Sequence, residues 1–323
     1  MLPNISILIP CYNAERWIQQ AIASALKQTY PNKEVVVIDD GSTDASLEII
    51  KGFGDRIRWE TQSNQGGNAT RNRLLELSTG EWLQYLDADD YLLTDKLDQQ
   101  IEILAEHPQT DIIYSPSLLE YHQEGKVWKE ILPIPEPHDP WILLARWSLP
   151  QTGSPLWRKQ AVIDVGGWKR DQPCCQEHEL YLRLLMSNQR FRYCEHVGSV
   201  YRQWSNLTVC NKNKPETYRH RLDITNRLEQ YLKLSGQLTS VRQLAIHQAR
   251  FECARMIWLF DRDWANLLIT QIHQTTPQFL PTGRAASSSY QVCYRLFGFM
   301  AAETIANTRR MLQRASINSS ISS

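Results

Sequence analysis

Trp82-Leu83-Gln84-Tyr85-Leu86-Asp87-Ala88-Asp89-Asp90 decides the fold. Its first five residues are an alternating, mostly apolar run, the pattern of a strand within a sheet. Three carboxylates in the next four residues repel one another unless something positive lies between them. Hard divalent cations such as Mg²⁺ or Mn²⁺ prefer carboxylate oxygen and relieve that repulsion. In an open α/β sheet the carboxyl end of a strand is also where ligands bind. An Asp-rich turn has a blander reading as a solvated helix cap, with Asp95 as a second cap. The residues upstream separate the two readings.

Those residues alternate strand and helix. Strands are predicted at Ile5–Pro10, Glu34–Asp39, Ile57–Thr61 and Glu81–Leu86, with helical patterns at Ala14–Gln28, Ala45–Lys51 and from Gly66 through Leu77. Strands separated by helix-length segments imply right-handed crossovers and a largely parallel sheet. Polar clusters then collect at one sheet edge: Pro10-Cys11-Tyr12-Asn13, Asp39-Asp40-Gly41-Ser42, Gln65-Gly66-Gly67-Asn68 and Asp87-Ala88-Asp89. Four polar loops on one carboxyl edge have the form of a nucleotide site.

The ordered set Ile-Pro-Cys-Tyr-Asn, Val-Ile-Asp-Asp-Gly-Ser-Thr-Asp, Ala69-Thr70-Arg71-Asn72 and Asp-Ala-Asp-Asp resembles glycosyltransferase family 2 over about residues 4–205. The resemblance implies a GT-A (Rossmann-like) α/β fold, a mostly parallel sheet flanked by helices, and inverting transfer from a nucleotide sugar. It implies that Tyr12 and Asp40 hold the nucleobase and that Asp39 braces their turn. Pro10 and Asn13 belong to the same loop. Arg71 lines the nucleotide pocket, Asp87 contacts the ribose side, and Asp89 ligates Mn²⁺ or Mg²⁺ at the diphosphate. A carboxylate at Asp40 can accept the ring N–H of uracil or paired donors of guanine, and an aromatic face at Tyr12 suits a base. Without the resemblance, Tyr12 reads as a core-covering aromatic and Asp39-Asp40 as an Asx turn capping the next helix.

The later part of the domain resembles the family's base and acceptor half. Gly166-Gly167-Trp168 is similar to its Gly-Gly-aromatic turn, and Cys174-Cys175-Gln176-Glu177-His178-Glu179 stands where the family has Glu-Asp at a helix start. Counting back from Leu182-Arg183 places Glu177 on the general-base position, with Glu179 second and His178 third. The departure is that Gln176, which cannot titrate, stands on the Glu position. The bland reading of Glu177 and Glu179 is a pair of acids favoured at a helix N-terminus. Val200-Tyr201-Arg202-Gln203-Trp204-Ser205 resembles the family's Tyr-Arg strand, with Arg202 as a phosphate contact. Relatives often carry His where this chain has Trp204.

Composition bounds the rest. The chain has 323 residues and a formal charge of zero, so bulk charge implies no nucleic-acid or anionic-membrane partner. Its 7 Cys are scattered, without the spacing of a disulfide framework or a zinc site. No signal peptide and no spanning helix are predicted, and a reducing cytosol fits, with peripheral contact at the inner membrane face as an option. The expected organisation is a GT-A domain over 1–210, split into a nucleotide-sugar half (1–110) and an acceptor and base half (111–210). A helical region over 211–315 and a disordered Ser-rich tail over 316–323 follow, with the boundary in the polar stretch 206–216. Tyr290–Met300, with Arg309-Arg310 after it, reads as a helix packed on its own domain, and alternatively as one lying on a membrane surface.

The expected activity is metal-assisted, inverting transfer of a hexosyl group from a nucleotide-diphosphate sugar to an acceptor hydroxyl, with one general base. UDP is the first choice of nucleotide, and the acceptor is a glycan or a lipid-linked molecule, as in polysaccharide biosynthesis. The alternatives are a non-catalytic nucleotide-sugar-binding relative and a sugar nucleotidyltransferase. Pro10-Cys11-Tyr12-Asn13 lacks the Gly-rich, basic phosphate loop of the latter.

Overall fold

The computed structural model describes residues 2–204 and 213–321, and all side chains among them except those of 284 and 311–321. The chain divides into two compact units, Met1–Asn213 and Lys214–Ser323. The expected boundary stretch 206–216 falls partly on residues 205–212, outside the described residues, as does Ser205 of the Tyr-Arg motif.

Unit 1 begins with β1 (Ile5–Cys11), α1 (Ile18–Leu26), β2 (Lys33–Asp39), α2 (Ser46–Lys51), β3 (Arg58–Thr61), α3 (Gly67–Leu77) and β4 (Trp82–Tyr85). All four strands are parallel: β1 pairs β2 and β4, and β2 pairs β3. Ile5, Ile7, Leu8 and Ile9 of β1 are fully buried, as are Val36, Val37 and Ile38 of β2. Helices on both faces of a parallel sheet demand such continuous apolar strands.

The chain continues with β5 (Tyr91–Leu92), α4 (Lys96–Glu106), β6 (Ile112–Tyr114), β7 (Ser117–Gln123), β8 (Lys126–Leu132) and α5 (Pro140–Ala145). Then follow β9 (Leu156–Arg158), α6 (Lys159–Asp164), α7 (Gln176–Met186), β10 (Phe191–Tyr193) and β11 (Ser199–Gln203). The main sheet has the order β10-β6-β9-β4-β1-β2-β3, and β9 inserts antiparallel between β4 and β6. A second sheet, β5-β11-β7-β8, stands apart from it in the pairing and carries Arg202 on β11.

Lys96, fully buried at the start of α4, is a polar element of this core. Its ammonium donates to Gln84 Oε1 and, at 2.6 Å, to Gln100 Oε1. A Cβ at Gly198 would lie 2.3 Å from Lys96 Cγ, so only glycine allows this approach. Burial disfavours the charged amine and lowers its pKa to about 7. The unfolded amine titrates at its ordinary, higher value, so between these two points the unfolded chain binds the extra proton. Folding stability therefore rises with pH from about 7 towards 9. Denaturant titrations at pH 7 and pH 9 should show this rise, and Lys96→Met should flatten it.

Unit 2 is helical: α8 (Lys214–Leu234), α9 (Ser240–Ile257), α10 (Arg262–Thr275) and α11 (Ser288–Ile321). Its core gathers Phe251, Trp258, Phe279, Tyr290, Tyr294 and Phe299. Residues 316–321, where a disordered tail is predicted, continue α11 as helical backbone. Extending an existing helix fixes one residue per added bond and avoids a new nucleus.

Candidate functional site

The carboxyl ends of β1, β2 and β4 open onto a cleft of about 650 Å³. Pro10 lines it from the end of β1, Tyr12 and Asn13 from the loop after it, and Asp40 from the turn after β2. Arg71 lines it from α3, Asp87 and Asp89 from the turn after β4, Glu177 from α7 and Arg202 from β11. Asp39 and Glu179 are not among its lining residues.

Asn13 adopts a left-handed conformation (φ 49°), which a short polar side chain tolerates. Its Oδ1 accepts the Thr43 N–H at 2.8 Å, and its own N–H donates to Ser42 Oγ at 2.9 Å, tying the first two loops together. Asp39, buried, accepts from the Ser42 N–H and from Thr61 Oγ1 at 3.0 Å and so braces the turn from beneath. Asp40 Oδ1 accepts from Gln62 Nε2 (2.7 Å) and the Gln65 N–H (2.9 Å), and Oδ2 from the Gly66 N–H (2.9 Å). Both its oxygens already fasten the α3 entry loop. Tyr12, half-exposed, is the open aromatic face nearest these loops in sequence.

The crowded carboxylates after β4 are resolved one by one. Arg71, buried under the Trp168 ring at 4.8 Å, pairs its Nη2 with Asp87 Oδ1 at 2.7 Å. Its Nη1 donates to Gln176 Oε1 at 2.9 Å. Burial would lower the guanidinium pKa, but the charges of Asp87 and Glu177 raise it. Gln176, the departure from the family pattern, is thus the neutral acceptor that lets one Arg serve one carboxylate. Asp90, buried, is pushed well above the usual carboxylate range by burial and then by Asp89 and Asp87, with the Arg202 N–H bonded to its Oδ1 at 2.9 Å. Asp89 is pushed up by burial and then by Asp87. Its Oδ2 accepts the Trp204 indole N–H at 2.9 Å.

Arg202 underlies this turn. Its Nη1 donates to the Asp89 carbonyl at 2.6 Å, its Nε to Glu120 Oε1 at 3.1 Å, and its Nη2 to Gln20. Its guanidinium is sandwiched by Trp17 at 4.4 Å and Tyr91 at 4.7 Å. Burial would push Glu120 up, yet bonds from His122, Tyr91, Lys129 and Arg202 hold it at about 2. Through these bonds Arg202 anchors the acidic turn while lining the same cleft.

Glu177 reaches the cleft from the first turn of α7, and Thr152 Oγ1, fully buried, donates to its Oε1 at 2.7 Å. Glu179 points elsewhere: it is buried and pairs with Arg183 at 2.8 Å. His178 stacks on Trp147 at 4.1 Å and is also absent from the lining. Among the three candidate bases, only Glu177 shares the cleft with the acidic turn. Thr152 and the Trp204–Asp89 bond had no motif to announce them.

Among the described residues, no cluster of three or more His, Cys, Asp or Glu is arranged to hold a metal ion alone. A divalent cation still fits the donor set at the turn. Asp89 is a carboxylate raised by burial and a like charge, and Mg²⁺-type sites commonly combine one or two carboxylates with substrate phosphates. Trp204→Phe keeps an aromatic ring against Trp17, 6.1 Å away, and deletes the N–H on Asp89. If Asp89 ligates a cation, losing this orienting bond weakens cation-dependent binding of a nucleoside diphosphate about tenfold. Calorimetric titration checks this, and unchanged affinity would exclude that role.

A mostly parallel sheet with its polar loops converging on an acidic turn defines a GT-A fold. Residues 6–150 match the family described as glycosyl transferase family 2. An uncharacterized glycosyltransferase of Haemophilus influenzae is 43% identical over 110 residues, 33% of this chain and 44% of that protein. Glycosyltransferase GlyA of Streptococcus pneumoniae is 35% identical over 132 residues, 40% of this chain and 19% of GlyA. The matched segments thus span less than half of these relatives' own lengths. The crystal structure of S. aureus TarS 1–349 in complex with UDP-GlcNAc is similar in fold, with TM-score 0.58, 14% identity, and 95% of this chain and 92% of TarS 1–349 covered. So is the mannosyltransferase PcManGT of Pyrobaculum calidifontis in complex with GDP-Man and Mn²⁺, with TM-score 0.51, 17% identity, and 97% and 88% covered.

Proposed function

We propose that this protein transfers a hexosyl group from a nucleotide-diphosphate sugar to an acceptor hydroxyl, with inversion at the anomeric carbon. The observation that carries this reading is Glu177, held by Thr152 in the same cleft as the Asp87–Asp89 turn. Inversion in one step needs one base on the side opposite the leaving group. Thr152 fixes Glu177 Oε1, leaving Oε2 to take the acceptor proton as the oxygen attacks. Tyr12 and the loops held by Asn13, Asp39 and Asp40 would seat the nucleoside, and Asp87, paired with Arg71, would face its ribose. Asp89 would hold Mn²⁺ or Mg²⁺, which when bound neutralises charge on the leaving diphosphate.

UDP is the preferred nucleotide of this reading, supported by the fold likeness to a UDP-GlcNAc complex. A growing glycan or a lipid-linked molecule is the preferred acceptor. Incubation with UDP-, GDP- and dTDP-hexoses and Mn²⁺, with products read by mass spectrometry and NMR, tests it. A β-linked product from an α-linked donor is expected. A retained configuration, or no transfer and no hydrolysis with any donor, would overturn it.

A further inference from the structure

The balanced charge of the whole chain conceals an uneven division. The sequence carries 35 Lys and Arg against 35 Asp and Glu. Residues 214–323 hold 14 Lys and Arg against only 7 Asp and Glu, so the helical unit is strongly basic and residues 1–213 carry the matching acidic excess. Such asymmetry between parts of a chain points to an anionic partner for the basic part.

Helix α11 shows where that partner would sit. Tyr290, Tyr294, Phe299 and Ala302 bury one side of it in the core of unit 2. Gly298 (φ 79°, ψ 179°) breaks the helical path, so Phe297 faces out while Phe299 faces in. The outward side is apolar over nine residues: Val292, Leu296, Phe297 and Met300 are 59%, 67%, 69% and 56% exposed. Arg295 lies exposed among them. Glu303, the single acid of the helix, is buried and paired with Arg255 and Arg310, so it does not offset Arg295. Scattered exposed apolar residues need no explanation, but a contiguous patch does.

We propose that this face of α11 docks the protein on an anionic lipid surface, with Val292, Leu296, Phe297 and Met300 entering the headgroup boundary and Arg295 meeting lipid phosphates. Large exposed aliphatic and aromatic side chains beside Arg suit an interface of acyl chains and anionic headgroups. A nucleic acid offers the charge without the apolar layer. A second copy related by a twofold axis would set Arg295 near Arg295 across the same patch. Among the described residues no helix is long and apolar enough to cross a membrane, so the contact lies along the surface.

Flotation of the full chain with phosphatidylcholine vesicles, with and without a quarter phosphatidylglycerol, tests this without reference to transferase activity. Wild type should partition into the anionic vesicles and little into the neutral ones. Leu296→Ser/Phe297→Ser should lower partitioning at least about tenfold. Arg295→Gln should lower it about fivefold. Leu234→Ser, at an exposed apolar position on α8, should leave it unchanged. Melting curves confirm that each variant is folded. Absence of vesicle binding by the wild type, or equal binding by the double variant, would overturn the proposal. A dimer in sedimentation that the double variant dissolves would overturn it in favour of a second copy.

Discussion

Glu177→Gln lowers kcat by about 10²–10⁴-fold while nucleoside diphosphate binding stays within about twofold. The substitution keeps an Oε1 to accept the Thr152 hydroxyl and keeps the shape of the α7 start, so what it removes is the proposed proton acceptor. Glu179→Gln acts on a different quantity. It takes the charge from a buried pair with Arg183 and costs about 1–3 kcal/mol of stability, with kcat within a few-fold of wild type. Steady-state rates with denaturant melts on both variants separate the roles. If Glu179→Gln lost turnover and Glu177→Gln kept it, the base would be misassigned.

Asp89→Ala has the second large effect: a loss of about a thousandfold or more in kcat/KM and loss of cation-dependent nucleotide binding. Its effect on the ligand-free protein runs the other way. Burial and Asp87 both raise the Asp89 pKa, so its charged form is a cost in the empty cleft. The variant should melt at the same temperature as wild type or higher without ligand, and should gain nothing when nucleotide and Mn²⁺ are added. A variant that melts well below wild type in the absence of ligand would mean that Asp89 is structural. Stability given up for function at one residue is the usual pattern at a charged site.

Much of the nucleotide edge was legible because it rests on short-range patterns. Apolar runs fix β1, β2 and β4, and the polar residues that end them must collect on one edge once the crossovers are right-handed. Counting along one helix from Leu182-Arg183 pointed to Glu177, which lines the cleft. The rest depends on contacts between distant segments. Thr152 meets Glu177 across 25 residues, and Trp204 meets Asp89 across 115. Neither spacing leaves a periodic trace. The antiparallel insertion of β9 and the separate β5-β11-β7-β8 sheet were not foreseen; the three residues of β9 and five of β11 are too few for periodicity to show. The anchoring bonds of Arg202 to Glu120 and the Asp89 carbonyl were likewise not legible, since they join segments distant in sequence. The basic character of unit 2 was hidden by averaging charge over the whole chain.

The most direct test of the central claim is a thermal-shift series with UDP, GDP, dTDP and CMP, each with and without Mn²⁺, on wild type and Asp89→Ala. Ligand at a hundredfold excess over its dissociation constant adds about 2.7 kcal/mol of stability. The predicted result is a rise in Tm with one nucleoside diphosphate, UDP first, that requires Mn²⁺ and vanishes in the variant. No rise with any nucleotide, or a rise indifferent to both Mn²⁺ and Asp89, would contradict the cleft as a cation-assisted nucleotide-sugar site.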